Sequence, residues 1–296
     1  MEGVGSPDLI VDGYNSPHGF SLKPSHAKML QEADIVIYVG EGVEEFLEKP
    51  LESIASNAVK FELLGQSGIK KLKFRERNIF GDHDDHDDHD HDKKAKKEDH
   101  DDHDDHDHDK KAKKDDHDNH GHDDHGHGHG EFDPHIWLDP MNAKIIVKKV
   151  TNQLSKLDKE NSSIYKSNSK KALKELDQMI KKVKSSVNKD AKVVVFHDAY
   201  QYFEKRFNVN IIGALTVNTD VLPGAEQLAE IREVIEHEKV TCVLSEPQFN
   251  PDIVETIAKD TNISSGVLDP LGATLDSGKT LYFDLIKNIS LSIKNC

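Results

Sequence analysis

Hydrophobic positions along the chain fall into two rhythms. Short apolar runs at 9–11, 35–39 and 59–64 alternate with stretches at 24–33 and 43–55, where apolar residues recur every three or four positions. The runs read as buried strands and the stretches as helices that cover them. The alternation resumes after Pro140. Helices are expected over 142–157 and 164–187, followed by a strand at 193–196, a helix at 200–206 and a strand at 209–212. A helix at 223–237, a strand at 240–244, a helix at 251–260, a strand at 264–268 and a last helix at 280–294 complete the series. Pro223 stands where a first helical turn accepts proline. Strands separated by helices predict parallel pairing, because a parallel neighbour is reached only through a crossover. In the 164–187 helix, Tyr165, Leu173, Leu176, Met179, Ile180 and Val183 form one apolar stripe on an otherwise lysine-rich rod. The expected fold is α/β, with two lobes, each a parallel sheet flanked by helices, joined by one long rigid helix. The N-terminal lobe spans 1–157, the linking helix 158–187 and the C-terminal lobe 188–296.

The stretch 82–129 obeys neither rhythm. It holds 14 of the chain's 19 histidines, set in aspartate at spacings of two and three. These are His83, His86, His89, His91, His100, His103, His106, His108, His117, His120, His122, His125, His127 and His129. The pattern of 82–97 recurs at 99–114, and a degraded third copy starts at Asp116. Apolar residues are almost absent, so no core can form there and a disordered insert is expected. Imidazole and carboxylate at this density suit borderline metal ions such as Zn²⁺, Ni²⁺ or Cu²⁺. A merely solubilising linker would need only Asp or Glu. The tract therefore reads as a weak metal-capture segment.

The tract also explains the charge. The chain of 296 residues carries a formal net charge of −16. Within 82–129 there are 20 acidic and 8 lysine side chains, which leaves −12 in the tract and −4 for the rest. That remainder is an ordinary near-neutral surface, and the acidic balance argues against nucleic acid as a partner. No apolar run approaches the length of a membrane span. Met1 is followed by Glu-Gly-Val-Gly and not by a basic, then apolar, export segment. Cys242 and Cys296 form no CxxC motif. The terminal cysteine reads as a free thiol or as half of a disulfide, and the second reading requires an oxidising compartment.

Candidate chemistry sits in the connections between elements. His18 follows the 9–11 run, His135 lies between the tract and the next helix, and His197 directly follows 193–196. Asp269 follows the 264–268 strand. Ligands in α/β folds gather outside the C-terminal ends of strands. A single histidine there is more often a loop-capping residue. Four such groups in four connections, beside a histidine-rich tract, point to a metal site of three imidazoles plus a carboxylate or water.

Four segments carry a resemblance: Ser16-Pro-His-Gly-Phe-Ser-Leu-Lys-Pro-Ser25, Asp133-Pro-His-Ile-Trp-Leu-Asp-Pro140, Val195-Phe-His-Asp-Ala-Tyr200 and Leu268-Asp-Pro-Leu-Gly272. Together with Thr241-Cys-Val-Leu-Ser-Glu-Pro-Gln-Phe249, they resemble the periplasmic metal-binding proteins of ABC importers, most closely the zinc-uptake type. The resemblance implies a metal site at the lobe interface, with His18, His135 and His197 as zinc ligands and Asp269 as a carboxylate near the fourth position. It also implies a Cys242–Cys296 disulfide, Zn²⁺ as the bound ion and a monomeric, periplasmic protein that carries no enzymatic activity. The partner would be a membrane permease with its cytoplasmic ATPase. Members of that family begin with a signal peptide, then a strand and helix ahead of the 9–11 run, so a truncated N-terminus is expected. Gly19 stands where the motif usually has an acidic residue. A zinc buffer or surface metal-binding protein is the alternative. A zinc hydrolase is the more distant one, since no HExxH motif is present.

Overall fold

The computed structural model describes residues 1–40, 42–80, 131–217, 219 and 221–296; the histidine-rich tract lies outside the described residues. The first sheet has two parallel strands, β1 (Ile35–Tyr38) and β2 (Val59–Glu62), paired in register from Ile35↔Val59 to Tyr38↔Glu62. Helices α1 (Pro24–Glu32) and α2 (Glu48–Ser53) cover it, and Leu30, Val36, Leu47, Leu51, Ala55 and Ala58 form the small core between them. After the tract, α3 (Pro140–Leu157) and α4 (Ser162–Ser186) pack as a hairpin. Of the six stripe positions expected on the long helix, Tyr165, Leu176, Met179 and Val183 are buried.

The second half holds β3 (Lys192–His197), α5 (Gln201–Phe207), β4 (Asn210–Thr216), α6 (Ala225–Glu238), β5 (Cys242–Ser245), α7 (Asp252–Thr261), β6 (Ser264–Val267) and α8 (Leu281–Asn295). Its four strands are all parallel, in the order β4-β3-β5-β6. Strand β3 is buried on both faces. Alternate side chains point to opposite faces. Val193 and Val195 enter a core built with α4, α5 and α8, while Val194 and Phe196 enter one built with α6 and α7. Burying each of these side chains contributes about 1.5–3 kcal/mol. The α/β architecture of two helix-flanked parallel sheets expected from the periodicity is the one observed.

Two expectations need correction. Residues 9–11 form no strand. Ile10 packs against the first core, but Leu9 is 62% exposed, and β1 pairs only with β2 among the described residues. An apolar run can satisfy its burial without a ladder, and this one does. The single helix expected over 43–55 is a 3₁₀ turn, Glu45–Leu47, running into α2. Pro50 is the cause. It has no amide to donate to Phe46, so α-helical bonding cannot run through the segment, and the proline is tolerated in the first turn of α2.

Cys242, in β5, is disulfide-bonded to Cys296 just beyond α8, 54 residues on, with Cα atoms 5.4 Å apart. Closing that loop is worth about 4 kcal/mol in the chain-entropy account. Replacing both cysteines by serine is expected to lower the free energy of unfolding by up to that amount, measured by urea denaturation. Coincident curves would show that the bridge stabilises nothing.

Candidate metal centre

Three loops bring His18, His135 and His197 together. His197 is the last residue of β3, held by the doubly buried strand behind it. His135 precedes a 3₁₀ turn, Ile136–Leu138, which runs directly into α3. That segment is clamped on several sides. Asp133 donates its amide to Leu72 O (2.8 Å), and Tyr202 Oη donates to Asp133 O (2.7 Å). Asn142 accepts from Lys70 N and donates back to Lys70 O. At the head of α3, Asp139 accepts the Met141 amide as an N-cap and receives a two-pronged bond from Arg206 on α5, both at 2.6 Å. His18 rides on a loop opened by an Asx turn at Asp12, with Pro17 buried and Phe20 packed on His26 and Phe46.

One potential ligand atom from each histidine lies within 4.8 Å of the other two. His135 Nε2 and His197 Nε2 are 3.3 Å apart. Each ring is turned by a buried carboxylate. His135 Nδ1 meets Asp133 Oδ1 at 2.8 Å, and His197 Nδ1 meets both oxygens of Glu246 at 2.7 and 2.8 Å. A carboxylate acceptor keeps the proton on Nδ1 and leaves the Nε2 lone pair facing the neighbouring ring. Two lone pairs at that distance repel unless a proton or a cation lies between them. A tetrahedral ion with metal–nitrogen bonds of about 2.0–2.1 Å sets its nitrogens roughly 3.3 Å apart. The His135–His197 spacing therefore fits zinc as it stands, and His18, within 4.8 Å of both, needs to come in by at most the 1.5 Å between 4.8 and 3.3 Å.

Electrostatics follow burial. Desolvation holds the His135 ring well below the ordinary imidazole range, and the neighbouring His197 pushes the same way. Desolvation also acts against a charged His197, but Glu246, with Asp198 and Asp133, outweighs it and holds the ring above the usual value. Asp133 is pushed up to about 7 by burial, which the His135 amide and Arg75 only partly offset. Asp198, next to His197, is pushed up to about 6 by burial, against the pull of Arg75, whose guanidinium spans Asp198 (2.9 Å) and Glu204. The cleft beside the histidines is walled by Gly42, Val43, Glu45 and Phe74 on one side, and by Trp137, Phe249, Pro270 and Leu271 on another.

Asp269 is not brought into this group. Its Oδ1 accepts the amides of Leu271 (3.0 Å) and Gly272 (2.9 Å) and the side chain of Gln248 (3.1 Å), while Oδ2 accepts the Ala273 amide (2.6 Å). The carboxylate expected near the metal instead folds its own turn, because Leu271, Gly272 and Ala273, beyond Pro270, turn three amides toward it. Glu246 and Gln248, both near this turn, were not singled out from the sequence as site residues. The available signal was a run of Ser245-Glu-Pro-Gln248 leaving β5 at the same end of the sheet as His197. The histidine-rich tract and its 14 imidazoles lie outside the described residues.

Residues 2–296 match the family described as zinc-uptake complex component A, periplasmic (ZnuA). The chain is 42% identical to the high-affinity zinc uptake system protein ZnuA of Brucella abortus strain 2308, over all of this chain and 86% of that protein. It is 37% identical to the protein of the same description from Haemophilus influenzae, over all of this chain and 87% of the other. A crystal structure of ZnuA superposes with a TM-score of 0.71 at 23% identity, covering 97% of this chain and 89% of that one, a likeness of fold.

Replacing Glu246 by Gln keeps the size of the side chain and removes the charge that turns His197. Metal affinity is expected to fall about 10–100-fold, as read by competition with a chromophoric chelator. An unchanged affinity would mean that the carboxylate does not orient the ligand.

Proposed function

We propose a function from one established premise: the chain belongs to the ZnuA family of periplasmic zinc-uptake components. It is the high-affinity zinc-binding component of an ABC importer, and it captures zinc outside the cytoplasm and hands it to the membrane permease. His18, His135 and His197 are the ligands, with water in the fourth position. The observation that carries this is the pair of imidazoles at 3.3 Å, each turned by its own buried carboxylate, with a third imidazole within 4.8 Å. Three neutral nitrogen donors favour zinc over manganese, which prefers oxygen.

Release without reaction fits the surroundings better than hydrolysis does. Asp133, Glu246 and Asp198 are engaged by His135, His197 and Arg75 in turn, and each is occupied in positioning. A zinc-bound water would need a free base aimed at it. The protein works in the periplasm as a monomer, with the permease and its ATPase as partners. The two lobes divide at 1–157 and 188–296, with the long helix between them. The 14 imidazoles of the tract add several weak sites whose tethering keeps zinc concentrated near the chain.

Removing the His197 ring by substitution with Ala is expected to reduce the affinity of the tight site by orders of magnitude, measured by calorimetric titration of zinc. Undiminished tight binding would refute the ligand assignment. Deleting 82–129 is expected to remove the weak sites, leave the tight one in place and slow loading at sub-stoichiometric zinc in stopped-flow traces. Loss of the tight site on that deletion would place its ligands in the tract.

A further inference from the structure

His18 comes to the site from a different part of the chain than the other two ligands. The rings of His135 and His197 are each turned by a buried carboxylate and sit on clamped backbone, while the His18 loop reaches the site from the first half of the chain. One tie between that loop and the second half is the side chain of Gln248. Its Nε2 donates to Gly13 O at 2.6 Å, in the His18 loop, and to Asp269 Oδ1 at 3.1 Å. Asp269 in turn gathers the amides of Leu271, Gly272 and Ala273. Two acceptors thus fix which way the Gln248 amide faces. Gln248 also lines the cleft beside His18, and its Oε1 is a buried oxygen without a hydrogen-bond partner.

The backbone makes the same junction. Residue 13 packs so closely on the 269–273 turn that a Cβ there would lie 2.8 Å from Ala273 Cα. Only glycine fits, because the atom it would strike is main chain and cannot swing aside. Side chain and backbone therefore meet at one point, which fixes how far the His18 loop stands from His135 and His197.

From this geometry we propose that Gln248, with Gly13 and Asp269, forms a latch that positions His18 and so sets how long the metal is retained. Gln248 is a positioning residue and touches no metal. The proposal rests on the reading of His18 as a ligand. It gives Asp269 a role that its position outside the ligand group otherwise leaves unexplained. With the latch made, all three imidazoles hold the ion. With it broken, the His135–His197 pair still receives the ion, but His18 no longer closes on it. Rupture therefore speeds release and leaves capture unaltered, which is the asymmetry a delivery protein needs.

The test compares Gln248→Ala and Gly13→Ala with His18→Ala in the full chain, after the tract's weaker sites are stripped by a mild chelator. Zinc association and dissociation are followed separately by stopped flow, and one equivalent of cobalt reports the coordination by its visible spectrum. Both latch variants are expected to raise the dissociation rate about 10–100-fold, leave the association rate unchanged, and shift the cobalt bands toward those of His18→Ala. Thermal melting of the metal-free protein shows whether each variant is folded. Should Gln248→Ala fail to fold, Gly13→Ala carries the test alone. Wild-type dissociation and spectra in a folded latch variant, with His18→Ala impaired, would overturn the latch and leave the metal site standing. Wild-type behaviour in His18→Ala itself would overturn the ligand assignment beneath it.

Discussion

Two buried carboxylates decide which nitrogen each histidine turns toward its neighbour. Asp133 and Glu246 are almost wholly removed from water, at 1% and 2% exposure. Burying an ionisable group is expensive unless it is hydrogen-bonded. Glu246 meets that condition with both oxygens and Asp133 with Oδ1, each taking an imidazole Nδ1, and the result is a pair of Nε2 atoms aimed at one point, 3.3 Å apart. A cation relieves the repulsion between them. Affinity in this view is built before the ion arrives, because the rings have little left to reorganise.

The rest of the fold keeps those carboxylates where they are. Glu246 leaves β5, the strand that pairs with β3 and so travels with His197. Asp133 is fixed through Leu72 and Tyr202, and the head of the following helix through Asp139 and Arg206. Trp137 donates to Pro270 O, and Tyr282 donates to Trp137 O, joining the His135 turn to the 268–272 loop and to α8. Apart from the two-pronged Asp139–Arg206 pair, each link is a single hydrogen bond worth about 0.5–1.5 kcal/mol. Their value lies in convergence: four of the connections around the cleft are tied to one another and not merely to their own strands.

Much of this was legible in the sequence. Parallel strands buried on both faces announce themselves as unbroken apolar runs, which is why β3 and the α4 stripe were readable. The three histidines were visible because each stands beside a predicted element in a distinctive local run: His18 ahead of α1, His135 ahead of α3 and His197 at the end of β3. What the sequence hid were choices made by competition in three dimensions. Residues 9–11 look like a strand, but Ile10 satisfied its burial without a ladder. Asp269 looks like a ligand, yet the amides of Leu271, Gly272 and Ala273 claim its carboxylate. Glu246 and Gln248 carry little local signal beyond leaving β5 at the His197 end of the sheet. Their partners, His197 and Gly13, are 49 and 235 residues away.

The central claim is that one ion sits on three imidazoles held by this scaffold. Zinc K-edge X-ray absorption of the stripped full chain, given one equivalent of zinc, counts those ligands directly. The account predicts three imidazoles at about 2.0–2.1 Å, with the characteristic outer-ring scattering, and one further light-atom neighbour. A shell of two imidazoles or fewer, or one dominated by carboxylate oxygen, would contradict it.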